Sequence, residues 1–169
     1  LTFLDAASRE RVAEAVRKHF YRRGKSVLWA TLDRAELGYA DRVLFLDGGS
    51  LYDYGSTEQF LDSGHNEILV GEGGSTVSPR PQSADKERAE TIVKIEDMAI
   101  YYQDSGFCLK IDGLEIRRGE AVGITGPVGS GKSTLLASCA GLIPPESGTV
   151  RIFGKKTESA KDFQAQRVA

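Results

Sequence analysis

Apolar positions recur along this chain with two different spacings, and the spacing assigns the elements. Val12, Val16 and Phe20 stand four apart with Ala13 beside them, which gives one apolar helical face. Asp5 can cap that helix, Glu14 and Lys18 form a favourable i,i+4 pair, and Arg22-Arg23-Gly24 is a stop signal. Ser26–Ala30 and Arg42–Leu46 are continuous apolar runs that predict strands, and Asp33-Arg34-Ala35-Glu36 between them predicts a capping box opening a short helix. Asp47-Gly48-Gly49 is hairpin-turn chemistry, with Ser50–Tyr54 as the returning strand and Thr57–Leu61 as a short helix. From Thr91 the spacing becomes two. Val93 and Ile95, then Met98, Ile100 and Tyr102, form an alternating set with a slip. Leu109-Lys110-Ile111 and Leu114-Glu115-Ile116 alternate as in a half-solvated sheet. Arg117–Glu120 is a turn, Ala121–Thr125 a buried strand, and Leu135–Ala140 a helix. Pro144–Gly148 turns the chain into a last strand, Thr149–Gly154.

One stretch breaks this order. Glycines and a serine from Gly71, then Pro79, Pro81 and the run Asp85-Lys86-Glu87-Arg88, offer nothing to bury. The expected organisation is residues 1–66, a linker over 67–90, and residues 91–169. The alternative is a long surface loop within one domain.

Composition narrows the class. With 40% hydrophobic and 27% charged residues and a net charge of −2, the chain is globular and gives no reason to invoke nucleic acid as main partner. Cys108 and Cys139 have no metal-site spacing and are expected to be buried, reduced thiols. No apolar run approaches the ~18 residues that span a bilayer. Leu1 is not an initiator methionine and the chain opens in mid-pattern, so the expectation is a piece of a longer polypeptide.

The candidate chemistry lies in Gly126-Pro127-Val128-Gly129-Ser130-Gly131-Lys132-Ser133-Thr134. This fits G-x-x-x-x-G-K-[ST], the Walker A phosphate loop, in its required setting of strand before and helix after. Glycines at 126, 129 and 131 let the backbone wrap closely and point N–H groups inward as an anion nest. The helix that follows presents its positive dipole end to the phosphates. Lys132 supplies charge for the β and γ phosphates, and Ser133 a hydroxyl for Mg²⁺.

With those residues in place, the second half resembles the ATP-binding cassette (ABC) ATPases. Tyr102 sits where that family places an aromatic that stacks on adenine, with Tyr101 as a competitor for the role. Gly119-Glu120, the loop itself, Gly141-Leu142 and Pro145-Glu146-Ser147-Gly148 with Val150 and Gly154 follow in the family's order. The first half resembles the other end of the same domain. Leu4-Asp5 is similar to the D-loop. Thr31-Leu32-Asp33 occupies the place of the switch motif, and Ala40–Gly49 is similar to the strand pair near the domain end. Leu32 departs from the family, whose switch position is a histidine, and leucine has no hydrogen-bonding group. The resemblance implies an α/β fold, a P-loop NTPase of the ATP-binding cassette type, in two incomplete cassettes joined by a linker. Tail before head implies a tandem polypeptide. Phe3–Arg9 is similar to duplicated energy-coupling-factor importers of vitamins or metal ions.

The implied function is that of an ATP-binding subunit of a membrane transporter. ATP and Mg²⁺ are its cofactors, and integral membrane permease subunits and a second cassette half, head to tail, its partners. The expected location is the cytoplasmic face of the plasma membrane, peripherally. A soluble cassette protein acting on ribosomes or nucleic acid would carry long basic insertions, and a small-molecule kinase or GTPase would leave residues 1–60 unexplained. The signature motif, the Walker B strand and the catalytic Glu of either cassette are not among these residues. They therefore hold a phosphate cradle and no general base, and are expected to bind ATP without hydrolysing it. Core strands on both sides are also expected to be missing, leaving apolar edges exposed and solubility poor. His65 reads as an exposed loop residue, His19 as a solvated helix residue and Trp29 as core.

Overall fold

The computed structural model describes residues 8, 11, 12, 15, 25–70 and 89–157. Ser8, Arg11, Val12 and Ala15 are helical. Asp5, His19, most of the amphipathic segment and positions 71–88 of the expected linker lie outside the described residues. The elements are β1 (Val27–Ala30), α1 (Arg34–Leu37), β2 (Arg42–Asp47), β3 (Ser50–Asp53), α2 (Thr57–Leu61), a 3-10 turn (Gly64–Ile68), β4 (Thr91–Tyr102), β5 (Phe107–Arg117), β6 (Ala121–Thr125), α3 (Lys132–Cys139), β7 (Ser147–Ile152) and β8 (Lys155–Lys156). They fall into two compact units, residues 1–44, 53–89 and 118–125, and residues 45–52, 90–117 and 126–169. Each unit draws on sequence from both sides of positions 71–88.

In the first unit β6 lies between β1 and β2. β1 runs parallel to it, with Val27 opposite Ala121 and Ala30 opposite Ile124. All five residues of β6 are buried, as a strand covered on both faces should be. Its two neighbours come from sequence before residue 67, so its backbone groups have partners on both sides. α1 packs on β6 where Gly123 leaves room: a Cβ there would lie 2.9 Å from Leu37 Cδ2. Asp33 caps α1 by accepting from the Ala35 amide, but the predicted capping box does not form. The Glu36 carboxylate instead accepts from the Thr31 hydroxyl at 2.6 Å. The reciprocal box occurs at α2, between Ser56 and Gln59. Trp29 is half-buried rather than core, because β1 is the last strand of the order among the described residues. His65 is exposed, as expected, but sits in the 3-10 turn with its Nδ1 hydrogen-bonded to the Tyr54 hydroxyl.

At the start of β2, Arg42 donates to Asp53 at 2.9 Å and to Glu120 at 3.1 Å. Burial opposes its charge, yet the two carboxylates more than offset that and its pKa is raised.

The second unit continues β2 through Phe45–Asp47 into a turn with Gly48 and Gly49 both at positive φ, then β3. The strand order onward is β3-β5-β4-β7-β8. β4 and β5 form one long antiparallel hairpin, 12 and 11 residues, where the sequence pattern suggested shorter pieces. The slip between Ile95 and Met98 is an irregularity: Asp97 has φ +48, and the β4–β7 register shifts between Glu96 and Ala99. On β5 the buried set changes phase at the facing Asp112-Gly113, so both apolar patterns stay on the core side. The outer face carries Lys94, Glu96, Glu115 and Arg151 in cross-strand ion pairs. Cys139 is buried, which pushes its thiol up to about 12. Cys108 is only half-buried, contrary to expectation, because it lies next to the open turn of the hairpin.

Candidate nucleotide-binding site

The phosphate loop follows β6 directly and ends where α3 begins at Lys132. Two of its glycines are dictated by close approach. Gly126 has φ +147, and a Cβ there would sit 2.0 Å from the Leu46 carbonyl oxygen at the end of β2. Gly131 has φ +101, and its Cβ would sit 2.9 Å from Phe107 Cζ and 3.3 Å from Leu46 Cδ2. Gly129, at φ +82, faces open space and is needed for its backbone angle alone.

Gly131 is also the N-cap of α3, and it brings no side-chain cap. The first-turn amides of an eight-residue helix therefore point into the loop without the side-chain acceptor that usually satisfies them. This is the donor set that suits an anion. Lys132 reaches back across the loop, its Nζ donating to the carbonyls of Gly126 at 2.7 Å and Pro127 at 2.6 Å. Burial lowers its pKa from the ordinary lysine value. A cation is thus held by neutral carbonyls at the loop centre. Ser130 is buried, with its Oγ 3.4 Å from the same Nζ. Ser133 is exposed at the second position of α3, and Val128 projects from the loop tip at 91% exposure. The residues present fit a polyphosphate.

Tyr102 closes β4 and its hydroxyl lies 3.1 Å from Thr134 Oγ1, in the first turn of α3. Tyr101 occupies the other face of the strand, where its phenol meets Cys108, whose hydrogen bond raises the Tyr101 pKa. Of the two candidates, Tyr102 is the one the fold turns toward the loop. Phe107, which sequence reasoning passed over, faces Tyr102 across the hairpin, with ring centroids 6.2 Å apart. The signal available for it was an aromatic just past a glycine turn, five residues from the candidate tyrosine. Leu32 is half-buried in the first unit, where its carbonyl accepts from the Val70 amide at 2.8 Å.

Residues 109–169 match the family described as "ABC transporter". The fold is α/β, and the loop-bearing segment is a P-loop NTPase domain of the ATP-binding cassette type. A putative ABC transporter ATP-binding protein of Methanosarcina acetivorans is 35% identical over 106 residues, 63% of this chain and 16% of that protein. One of Methanosarcina mazei is 32% identical over 163 residues, 91% of this chain and 31% of that protein. The nucleoside import ATP-binding protein NupA of Lactococcus lactis is 28% identical over 143 residues, 83% of this chain and 27% of that protein. The chain therefore spans between 16% and 31% of the length of these curated relatives. No helix among the described residues is long and apolar enough to cross a membrane.

Proposed function

We propose that this chain is part of an ATP-binding subunit of an ABC transporter, in which ATP binding and hydrolysis drive import of a small solute. The observation that carries the reading is the loop of residues 126–134: an uncapped helix start, glycines pressed against β2, and Lys132 held at the centre. The loop amides and Lys132 would hold the phosphates of Mg²⁺-ATP, and the Ser133 hydroxyl would serve the Mg²⁺. Tyr102 stacks on adenine. The bound nucleotide supplies the scissile phosphoanhydride, and these residues grip and orient it.

The order of the two halves supports a tandem protein, with the end of one cassette (1–66), a linker (67–90) and the start of a second (91–169). An alignment covering 91% of the chain with one Methanosarcina mazei protein supports that order as continuous. In such a protein Asp5 belongs to the D-loop of the first cassette, Leu32 takes the place of its switch histidine, and the two cassettes meet head to tail. Permease subunits are the membrane partners, at the cytoplasmic face. The import direction has the likeness to the nucleoside importer as its support. The small net negative charge gives no support to a role on ribosomes or nucleic acid.

Leucine at position 32 removes a polar contact to the γ-phosphate from the first cassette's site. Loss of one such transition-state contact costs about 2.7–4 kcal/mol, roughly 10²–10³ in rate. Single-turnover hydrolysis by the full-length protein, purified with its permease, should therefore be biphasic. Lys132→Ala should remove the fast phase. Two nucleotides hydrolysed at one rate would refute the asymmetry, and an unaffected fast phase would refute the assignment of the loop.

A further inference from the structure

The β4–β5 hairpin touches the phosphate loop through two aromatic residues, and they do different things. Tyr102 ends β4, Phe107 begins β5, and the two are paired directly across the strands. Their rings are tilted by 48° at 6.2 Å, the geometry of an attractive aromatic pair. Tyr102 is 40% exposed and offers its ring to solvent beside the loop. Phe107 is half-buried, and the far end of its ring is the nearest side-chain atom to the space a Gly131 Cβ would fill. A closed circuit results: hairpin, Phe107, Gly131, first turn of α3, Thr134, Tyr102 and back to the hairpin.

Tyr102 alone could not hold a fixed distance from the loop. A tyrosine ring at a strand end turns about two side-chain bonds, and its hydroxyl contact with Thr134 is one hydrogen bond between partly exposed groups. Phe107 stands beside that ring, with ring centroids 6.2 Å apart. Its ring end lies 2.9 Å from where a Gly131 Cβ would stand, beside backbone that has no side chain to yield, at the residue whose positive φ opens the helix.

We propose that Phe107 is a positioning residue that fixes Tyr102 relative to the phosphate loop, so that the protein measures base and phosphates of one nucleotide together. This rests on the reading of residues 126–134 and Tyr102 as the nucleotide site. Phe107 needs no contact with the nucleotide. Its effect passes through Tyr102 and appears only with a ligand that carries a base.

The test is calorimetric titration of the full-length protein with Mg²⁺-ATP and, separately, with tripolyphosphate, which lacks the base. Phe107→Ala should weaken ATP about three- to tenfold, the scale of one aromatic pair, while changing tripolyphosphate less than twofold. Phe107→Leu, which keeps the wedge against Gly131 but not the aromatic pairing, should fall between. In a Tyr102→Ala background Phe107→Ala should have no further effect on ATP. Equal losses for both ligands, a full additional loss in the Tyr102→Ala background, or wild-type ATP affinity in Phe107→Ala would each overturn the proposal. If Phe107→Ala does not fold, Phe107→Leu decides by the same comparison. Lys132→Ala serves as the control on the underlying reading: if it leaves both ligands bound as tightly as wild type, the site itself is misassigned, whatever Phe107 does.

Discussion

The strands around β6 and the hairpin β4–β5 solve the same problem in opposite ways. β6 is buried at all five positions and pairs in parallel with a strand far away in sequence. β4 and β5 alternate, with one apolar side and one charged side, and pair with each other across a short turn. The first arrangement tolerates no side-chain variation but fixes the end of β6, from which the phosphate loop departs. The second needs its apolar side and the aromatic pair at its tip, while its charged side can change. Residues that carry function should thus be costly to alter at the end of β6 and at the hairpin tip, and cheap to alter on the outer face of the sheet.

The largest expected effect is at the loop itself. Gly126→Ala places a Cβ 2.0 Å from the Leu46 carbonyl oxygen, which no rotamer relieves. A loss of about 3 kcal/mol or more in stability, or a loop that no longer binds nucleotide, is expected. Gly129→Ala meets no atom and should cost about 1–2 kcal/mol from its backbone angle. Denaturant unfolding of both variants checks the contrast, and equal costs would break it.

Next comes the strand comparison. Ile124→Ala, in the fully buried strand, should destabilise by about 2–5 kcal/mol. Lys94→Ala, on the charged face, should change stability by less than about 0.5 kcal/mol.

The smallest effect is a pH dependence on that face. Lys94, by hydrogen bond and charge, holds the Glu96 carboxyl below its ordinary value of 4.5. A depressed carboxyl contributes stability above its unfolded pKa and loses it as pH falls through the folded pKa. The contribution should therefore be present at neutral pH and be lost only in the acid range, and this dependence should vanish in Lys94→Ala and shrink with added salt. Thermal melts across that range, with and without salt, read it directly.

The phosphate loop was legible because its chemistry is local. Three glycines, a lysine and a hydroxyl at fixed spacing need no knowledge of the rest of the chain, and the flanking runs announced strand and helix. The hairpin was nearly legible. The break between Ile95 and Met98 was visible in the apolar pattern, but only the facing change of phase at Asp112-Gly113 shows that both strands run on through it. What the sequence hid is non-local. The pairing of Val27–Ala30 with Ala121–Ile124 joins segments on either side of positions 71–88, and nothing in either run names the other. Asp33 and Glu36 had the spacing of a capping box, yet the Thr31 hydroxyl competes for the Glu36 carboxylate and wins. Phe107 carried no motif, because its importance lies in which backbone it touches.

Residues 126–134 are proposed to bind the nucleotide through a charge held at the loop centre. Calorimetric titration of the full-length protein and its Lys132→Ala variant with Mg²⁺-ATP tests it most directly. The variant loses charge-assisted contacts worth about 1.5–3 kcal/mol, so its affinity should fall by about 10- to 150-fold. An unchanged Kd would contradict the account.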